Sequence, residues 1–173
     1  MRKAIPLLVI LTLVWGTNWP LFPIAMREVS VWTFRSVSLL GAGCALLLLA
    51  RLRGAPLGIP REHWPTLLQA SLAYLVVWNI ASGYAAILIP SGQAAILGFT
   101  MPFWAALIGW AALGQRPGAR VLLALVIGFA GVLLLIVNGM SAYAKAPLGF
   151  ALGLLAGLGW AVGTLILKRK PLP

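Results

Sequence analysis

The sequence contains few acidic residues, one histidine and one cysteine. Its two carboxylates, Glu28 and Glu62, and its histidine, His63, lie in segments between apolar runs. Cys44 lies inside an apolar run, where a cysteine is typical of small packing residues. No nucleophile with a nearby base, no haem ligand and no metal ligand set follows from this inventory. We therefore expect a protein that is not an enzyme and that uses no cofactor and no metal.

Apolar residues dominate the composition instead. The chain is 62% hydrophobic and 9% charged, which is more apolar surface than a soluble domain of this length can bury. The formal net charge of +11 would suggest nucleic acid in a soluble protein. The basic residues lie mainly between the apolar runs, as topology determinants do, and form no clustered basic face. We therefore expect a lipid bilayer as a partner, and no nucleic acid.

Six apolar runs are each long enough to cross a bilayer, which takes about 20 residues. They predict an all-α integral membrane protein, a multi-pass bundle of six transmembrane helices over residues 1–26, 30–50, 64–89, 91–113, 119–137 and 147–167. The first run follows Arg2 and Lys3, as in a signal peptide. Because it is too long for a signal-peptide core and lacks a small-x-small cleavage site, we interpret it as a retained helix.

Proline and glycine predict local features of these helices. Pro20 and Pro23 are expected to break the outer half of the first helix, and Pro102 is expected to kink the fourth. Gly128 and Gly131 predict that a neighbouring backbone comes close to the fifth helix. Residues 138–146 are predicted to form a loop. Close packing of the sixth helix is expected at five glycines, Gly149, Gly153, Gly157, Gly159 and Gly163.

The distribution of lysine and arginine predicts the orientation. If the N-terminus is cytoplasmic, the outer segments hold Arg27 and Lys145, with Arg35 near the outer membrane face. The cytoplasmic segments then hold ten basic residues: Arg2, Lys3, Arg51, Arg53, Arg61, Arg116, Arg120, Lys168, Arg169 and Lys170. Positive charge concentrates on the cytoplasmic side of membrane proteins, so both ends of the chain are expected in the cytoplasm.

Neutral polar and aromatic side chains inside the predicted helices are candidates for a solute cavity. These candidates are Asn18, Trp19, Tyr74, Trp78, Asn79, Gln93 and Trp104. A plainer interpretation is that tryptophans form interfacial belts and amides hydrogen-bond between helices. Trp78 and Asn79 fit that interpretation less well, because they lie near the middle of the third helix. A neutral aromatic wall suits an amphipathic or zwitterionic organic solute better than an inorganic ion.

Arg35 has two interpretations, and intramembrane acids are lacking. Arg35 lies one to two turns inside the second helix, from where it can extend to lipid headgroups or attract an anionic group of a solute. Proton-coupled carriers usually have a titrating carboxylate within the membrane. The six apolar runs contain none.

The pattern resembles the EamA family of the drug/metabolite transporter superfamily. The matching residues are Trp15-Gly16-Thr17-Asn18, Arg35, and an alanine-rich helix with a central Pro102. That helix leads to Leu113-Gly114, a basic loop and the Gly-x-x-Gly helix of residues 128–131. The resemblance covers about the first 140 residues. Gln115 departs from it, since the family has a glutamate after this glycine.

The resemblance implies a fold and a domain organisation. Family members are similar in having ten helices, as two inverted five-helix repeats with a solute site between them. Residues 1–140 would be the first repeat, and 147–173 the first helix of an incomplete second repeat. This chain would then be half of such a transporter, and about four helices would be missing. The sixth helix is expected to lack most of its packing partners.

The function implied is that of a secondary transporter of the inner membrane. It would export a small organic metabolite or drug-like solute by alternating access, with a missing second half or a homodimer completing the site. The alternative is a non-transporting membrane protein, either a truncated product or an assembly partner that packs through its glycines. A small multidrug-resistance-like dimeric pump fits less well, because the first helix has no carboxylate.

Overall fold

The fold is a bundle of six long helices. The computed structural model describes residues 4–170, and the predictions for Arg2, Lys3 and residues 171–173 lie outside that range. The helices are α1 (Ala4–Ala25), α2 (Val31–Leu52), α3 (Arg61–Leu88), α4 (Ser91–Leu113), α5 (Ala119–Lys145) and α6 (Pro147–Arg169). All six are long and apolar enough to span a membrane. The predicted all-α, multi-pass membrane fold is confirmed.

The first two helices are continuous. Pro20 and Pro23 lie inside α1 without ending it, so the predicted break is wrong. In hydrocarbon an uncoiled segment would expose unpaired backbone groups, and this cost favours a continuous helix even where proline removes a hydrogen bond. Helix α2 begins after Ser30, whose hydroxyl accepts a hydrogen bond from the backbone N–H of Thr33 at 3.1 Å. This is a typical N-cap.

Helix α3 changes its winding near its middle. A 3₁₀ turn and an α-helical segment precede a π-helical stretch, and α-helix then resumes: Arg61–His63, Trp64–Ser71, Leu72–Val77 and Trp78–Leu88. The side-chain amide of Asn79 donates to the carbonyl of Tyr74, five residues earlier, at 3.1 Å. A π-turn leaves backbone groups less regularly paired than an α-helix, and here a polar side chain satisfies one of them.

Helix α4 is interrupted at Phe99 and Thr100, between the helical segments Ser91–Gly98 and Met101–Leu113. Pro102 lies in the first turn of the second segment, where its missing N–H has no helical partner to lose. The Thr100 hydroxyl donates to the carbonyl of Leu97 at 2.6 Å, and the same carbonyl accepts the backbone N–H of Thr100 at 3.2 Å.

Helix α5 is longer than predicted, and the expected loop at 138–146 is wrong. The helix continues to Lys145 and only Ala146 separates it from α6. Asn138 donates to the carbonyl of Leu134 at 2.9 Å, so its side chain is paired within the helix. The predicted backbone approach at Gly128 and Gly131 is also wrong. Gly128 faces the Phe103 ring, and no atom lies within 4 Å of a Cβ placed at Gly131.

Helix α6 packs against α3 and both segments of α4. The glycine prediction is confirmed, because a Cβ on any of its five glycines would lie less than 3.0 Å from an atom of another segment of the chain. A Cβ at Gly157 would lie 2.7 Å from Thr100 Oγ1 and 3.0 Å from the Gly98 carbonyl oxygen. The expectation that this helix would lack partners is therefore wrong. It is the most buried of the six together with α3.

Candidate functional site

A cavity of about 270 Å³ lies between five of the six helices. Helices α1 and α3 provide most of its wall, and α2, α4 and α6 provide one side chain each. The wall consists of Trp15, Asn18, Trp19, Phe22, Arg35, Trp78, Asn79, Phe99 and Trp160. It is therefore mainly aromatic, with two amides and one guanidinium.

One face of α1 forms the first side of the cavity. Trp15, Trp19 and Phe22 follow one another at intervals of four and three residues, which places them on a single helical face. Trp19 and Phe22 are buried, although most of α1 exposes its side chains. Gly98 of α4 lets the Trp19 ring pack closely against α4, because a Cβ at Gly98 would lie 3.2 Å from that ring.

The aromatic rings meet edge to face. The ring centroids of Trp78 are 6.2 Å from Trp19 and 5.0 Å from Trp160, and Trp160 is 5.8 Å from Trp15. Such pairs add to the stability that burial alone supplies. The rings of three helices thus hold one another in place, and together they provide a rigid apolar surface for an organic molecule.

Arg35 is the charged group of the cavity. Its side chain is 8% exposed, so the interpretation that it extends to lipid headgroups is wrong. The guanidinium Nε donates to the carbonyl of Asn79 at 3.1 Å, and one Nη donates to the hydroxyl of Ser82 at 3.3 Å. Its Cζ lies 4.2 Å from the centroid of the Phe22 ring, which is within the range of a cation–π contact.

Within residues 4–170, the guanidinium of Arg35 contacts only neutral groups. Among residues 4–170, the only carboxylate within 4 Å of a basic side chain is that of Glu62, beside its neighbour His63, and neither residue lines the cavity. Arg35 contacts a carbonyl, a hydroxyl and a ring, and no carboxylate neutralises it. The site therefore combines an apolar aromatic wall with one uncompensated positive charge.

Four of the seven predicted cavity residues lie in the cavity wall, namely Asn18, Trp19, Trp78 and Asn79. Tyr74 lies behind the wall. Its ring centroid is 4.7 Å from that of Trp160, and its hydroxyl is 2.6 Å from Thr164 Oγ1. It therefore supports a wall residue and joins α3 to α6.

Gln93 and Trp104 lie outside the cavity wall. Gln93 lies where α4 meets α5, with its Nε2 3.1 Å from the position of a Cβ on Gly139. Its Oε1 is buried without a hydrogen-bond partner among the described residues. Trp104 donates to Thr100 Oγ1 at 3.1 Å, close to the interruption of α4. Gln93 therefore belongs to the contact between α4 and α5, and Trp104 makes a hydrogen bond within α4.

Five wall residues were not among the seven candidates, namely Trp15, Phe22, Arg35, Phe99 and Trp160. Phe22 and Phe99 resemble lipid-facing phenylalanines in a sequence, and only the spacing of Phe22 from Trp15 and Trp19 could have indicated a shared face. Trp160 lies near the middle of α6, away from the interfacial positions that tryptophan favours. This central position could have indicated from the sequence that Trp160 is a cavity residue.

Six helices long and apolar enough to span a membrane define a multi-pass integral membrane protein, and a partly polar cavity lies between five of them. Residues 2–137 match the sequence profile of the EamA-like transporter family. The chain belongs to this family, and the resemblance noted in the sequence is confirmed.

Several curated proteins are similar to this chain. The uncharacterized transporter YvbV of Bacillus subtilis is 27% identical, over 94% of this chain and 53% of its own length. A probable amino-acid metabolite efflux pump of Escherichia coli is 26% identical, over 97% and 54%. The uncharacterized inner membrane transporter YedA of the same species is 27% identical, over 99% and 56%. The chain thus spans about half the length of these relatives. No solved structure matches it with comparable significance.

Proposed function

We propose that this chain forms part of a secondary transporter that exports a small organic metabolite or drug-like solute across the inner membrane by alternating access. The observation that carries the proposal is the cavity of about 270 Å³ inside a membrane-spanning bundle. Membership of a transporter family and a relative named as an efflux pump support it.

The wall of the cavity favours an organic solute. Aromatic rings offer apolar contact area, and Asn18 and Asn79 offer hydrogen-bonding amides. Ligand sites for small molecules combine such apolar surface with a few polar groups. An inorganic cation would instead need several oxygen ligands, and the cavity wall contains no carboxylate.

Two irregular backbone segments border the cavity and support a conformational change. Trp78 and Asn79 follow the π-helical stretch of α3 directly, and Phe99 lies at the interruption of α4. Such points are where helices bend with the least loss of hydrogen bonds. Bending there would move wall residues of the cavity, as alternating access requires.

We further propose that a second half, or a second copy of this chain, closes the site. The chain spans about half the length of its relatives, and alternating access works by one bundle rocking against another. If this chain is not part of a longer protein, a homodimer would supply the second bundle.

Transport into everted membrane vesicles tests the function. Vesicles containing the protein should accumulate solute from a radiolabelled mixture of amino acids and related metabolites. We expect Trp78→Phe and Asn79→Ala to lower the uptake of any transported solute at least several-fold. Trp110→Phe is the matched control, because Trp110 is exposed on the outside of the bundle. Equal uptake by wild type, Trp78→Phe and Asn79→Ala would refute the cavity assignment. Absence of transport by this chain would show that it needs a second half to transport or that it has a packing role instead.

A further inference from the structure

We propose that the solute is an organic anion, with a carboxylate or a group of similar charge, and that Arg35 binds this group at the wall of the cavity. The inference rests on the proposed transport function and names the class of solute for that site. Three observations carry it: the missing counter-charge, the free hydrogen-bond donors and the fixed position of the guanidinium.

The missing counter-charge comes first. Removing a guanidinium from water is costly, and buried charges are normally paired. Arg35 is 8% exposed and lies in a membrane-spanning helix, yet no carboxylate among residues 4–170 lies within 4 Å of it. The only carboxylate side chains of the sequence are those of Glu28 and Glu62, and neither lies in the cavity wall. An anionic solute would supply the missing charge.

The donors of the guanidinium are only partly used. A guanidinium has five N–H donors in a fixed fork. Within residues 4–170, Arg35 uses one at Nε, to Asn79, and one at Nη2, to Ser82. The remaining donors have no protein acceptor there, and Arg35 borders the cavity. Paired donors of this kind match the two oxygens of a carboxylate.

The guanidinium is held in place before any solute arrives. Hydrogen bonds to two residues of α3 hold it on one side, and the Phe22 ring lies 4.2 Å from its Cζ. Gly83 lets α2 come this close to α3, because a Cβ there would lie 2.8 Å from Val31 Cγ1 and 3.6 Å from Arg35 Nε. A preorganised group loses little freedom on binding.

A clamp between α2 and α3 is the competing role for Arg35. As a clamp, Arg35 would affect the stability of the protein but not the charge preference of the cavity. The two roles are therefore distinguished by the binding of probes that share one shape and differ in charge.

The test uses 3-(4-bromophenyl)propionate, its neutral amide and the matching amine as quenchers of tryptophan fluorescence. The protein is reconstituted in nanodiscs, with the exposed Trp32, Trp64 and Trp110 replaced by phenylalanine to reduce quenching from the bilayer. Bromine quenches at short range, and four tryptophans line the cavity. Saturable quenching therefore reports binding at the site.

We expect the carboxylate to bind at least about tenfold more tightly than the amide, as for a hydrogen bond to a charged group, and the amine more weakly still. Arg35→Gln should bring the carboxylate and the amide to within about twofold of each other. Arg35→Lys should keep part of the preference. Arg27→Gln is the charge-matched control, since Arg27 is exposed in the turn before α2. It should leave the preference unchanged.

The outcomes separate the two proposals. Saturable binding of carboxylate and amide with equal affinity in the wild type would overturn the role of Arg35 and leave a solute cavity intact. An undiminished preference in Arg35→Gln would overturn it as well. Failure of every probe to bind saturably would contradict both proposals. If Arg35→Gln does not fold, the wild-type preference and Arg35→Lys still decide the question.

Discussion

Trp160 connects the cavity wall to the interface between α3 and α6. Its ring lies against Trp78 and Trp15 on the cavity side and against Tyr74 behind the wall. The Thr164 hydroxyl, one turn along α6, donates to the Trp160 carbonyl at 2.9 Å. A hydroxyl has one proton to donate, so at the 2.6 Å contact between Tyr74 and Thr164 the tyrosine is the donor.

We predict that Tyr74→Phe lowers the free energy of unfolding by about 1 kcal/mol, the size of an interhelical hydrogen bond in a membrane. Titration with sodium dodecyl sulfate in mixed micelles measures the change. Tyr84→Phe is the matched control, because Tyr84 lies on the same helix and no hydrogen bond of its hydroxyl is found among the described residues. In a double-mutant cycle with Thr164→Val, purely additive effects would contradict the assignment.

The sequence indicated some cavity residues and not others. Trp78 and Asn79 were predicted because polar and aromatic groups are unusual near the middle of a membrane helix. Arg35 lies close enough to a helix end for headgroups to be in reach, and only the fold shows that α3 and the Phe22 ring surround it instead. Phe99 lines the cavity at the interruption of α4, and no property of phenylalanine indicates such a position.

At the scale of elements, the glycines of α6 determine how closely the helices approach. Gly153 lies against Leu97, Gly159 against Val77 and Gly163 against the Tyr74 ring, each with a side-chain atom less than 3.0 Å from a Cβ position. Small residues at such contacts increase van der Waals packing between membrane helices. The α6 glycines therefore position both irregular helices, α3 and α4, that border the cavity.

We predict that Gly157→Ala lowers the free energy of unfolding by about 1–3 kcal/mol, as overpacking typically does. The added methyl group would meet the Gly98 carbonyl oxygen at 3.0 Å and the Leu97 carbonyl oxygen at 3.2 Å, and backbone atoms cannot rotate away. Titration with sodium dodecyl sulfate in mixed micelles measures this change in the free energy of unfolding as well. Gly131→Ala should be neutral or slightly stabilising, since its Cβ meets no atom within 4 Å. Equal losses in the two variants would show that α6 is not tightly packed.

Helices were predictable as elements, but their interruptions were not. Apolar length predicts each span, because a bilayer sets the number of residues needed. Pro20 and Pro23 did not break α1, whereas α4 is interrupted before Pro102, at Phe99 and Thr100. The difference is in the surroundings. Thr100 is buried and its hydroxyl adds a hydrogen bond to the Leu97 carbonyl, while an interruption of α1 would open toward lipid.

At the scale of the whole molecule, α6 lies among the other helices and α5 lies outside them. The side chains of α5 are exposed or half-buried except at Gly139 and Tyr143. Which helices lie next to one another depends on the three-dimensional arrangement of the chain. The position of α6 was therefore not predictable from its sequence alone. The outer surfaces of α2 and α5 are apolar, and we therefore expect lipid to surround them.

The charge distribution over the folded bundle predicts its orientation. One end carries the connections at 53–60 and 114–118 together with the end of α6, and the other carries those at 26–30, 89–90 and 146. Within residues 4–170, the second end holds Arg27 and Lys145. The first end holds Arg51, Arg53, Arg61, Arg116, Arg120, Lys168, Arg169 and Lys170. Positive charge favours the cytoplasmic side, so the first end should face the cytoplasm.

Labelling of single cysteines in intact bacterial cells measures this orientation. In a Cys44→Ala background, a membrane-impermeant maleimide should label Val29→Cys and Ala144→Cys from outside. It should label Ala55→Cys and Gln115→Cys only after the membrane is permeabilised. These four positions carry no charge, so the substitutions leave the charge bias itself unchanged. Labelling of Ala55→Cys and Gln115→Cys in intact cells would show that the orientation is the opposite one. The end of the bundle with the connection at 26–30, which is the end nearer to Arg35, would then face the cytoplasm. An exporter would then receive its solute at that end instead of releasing it there.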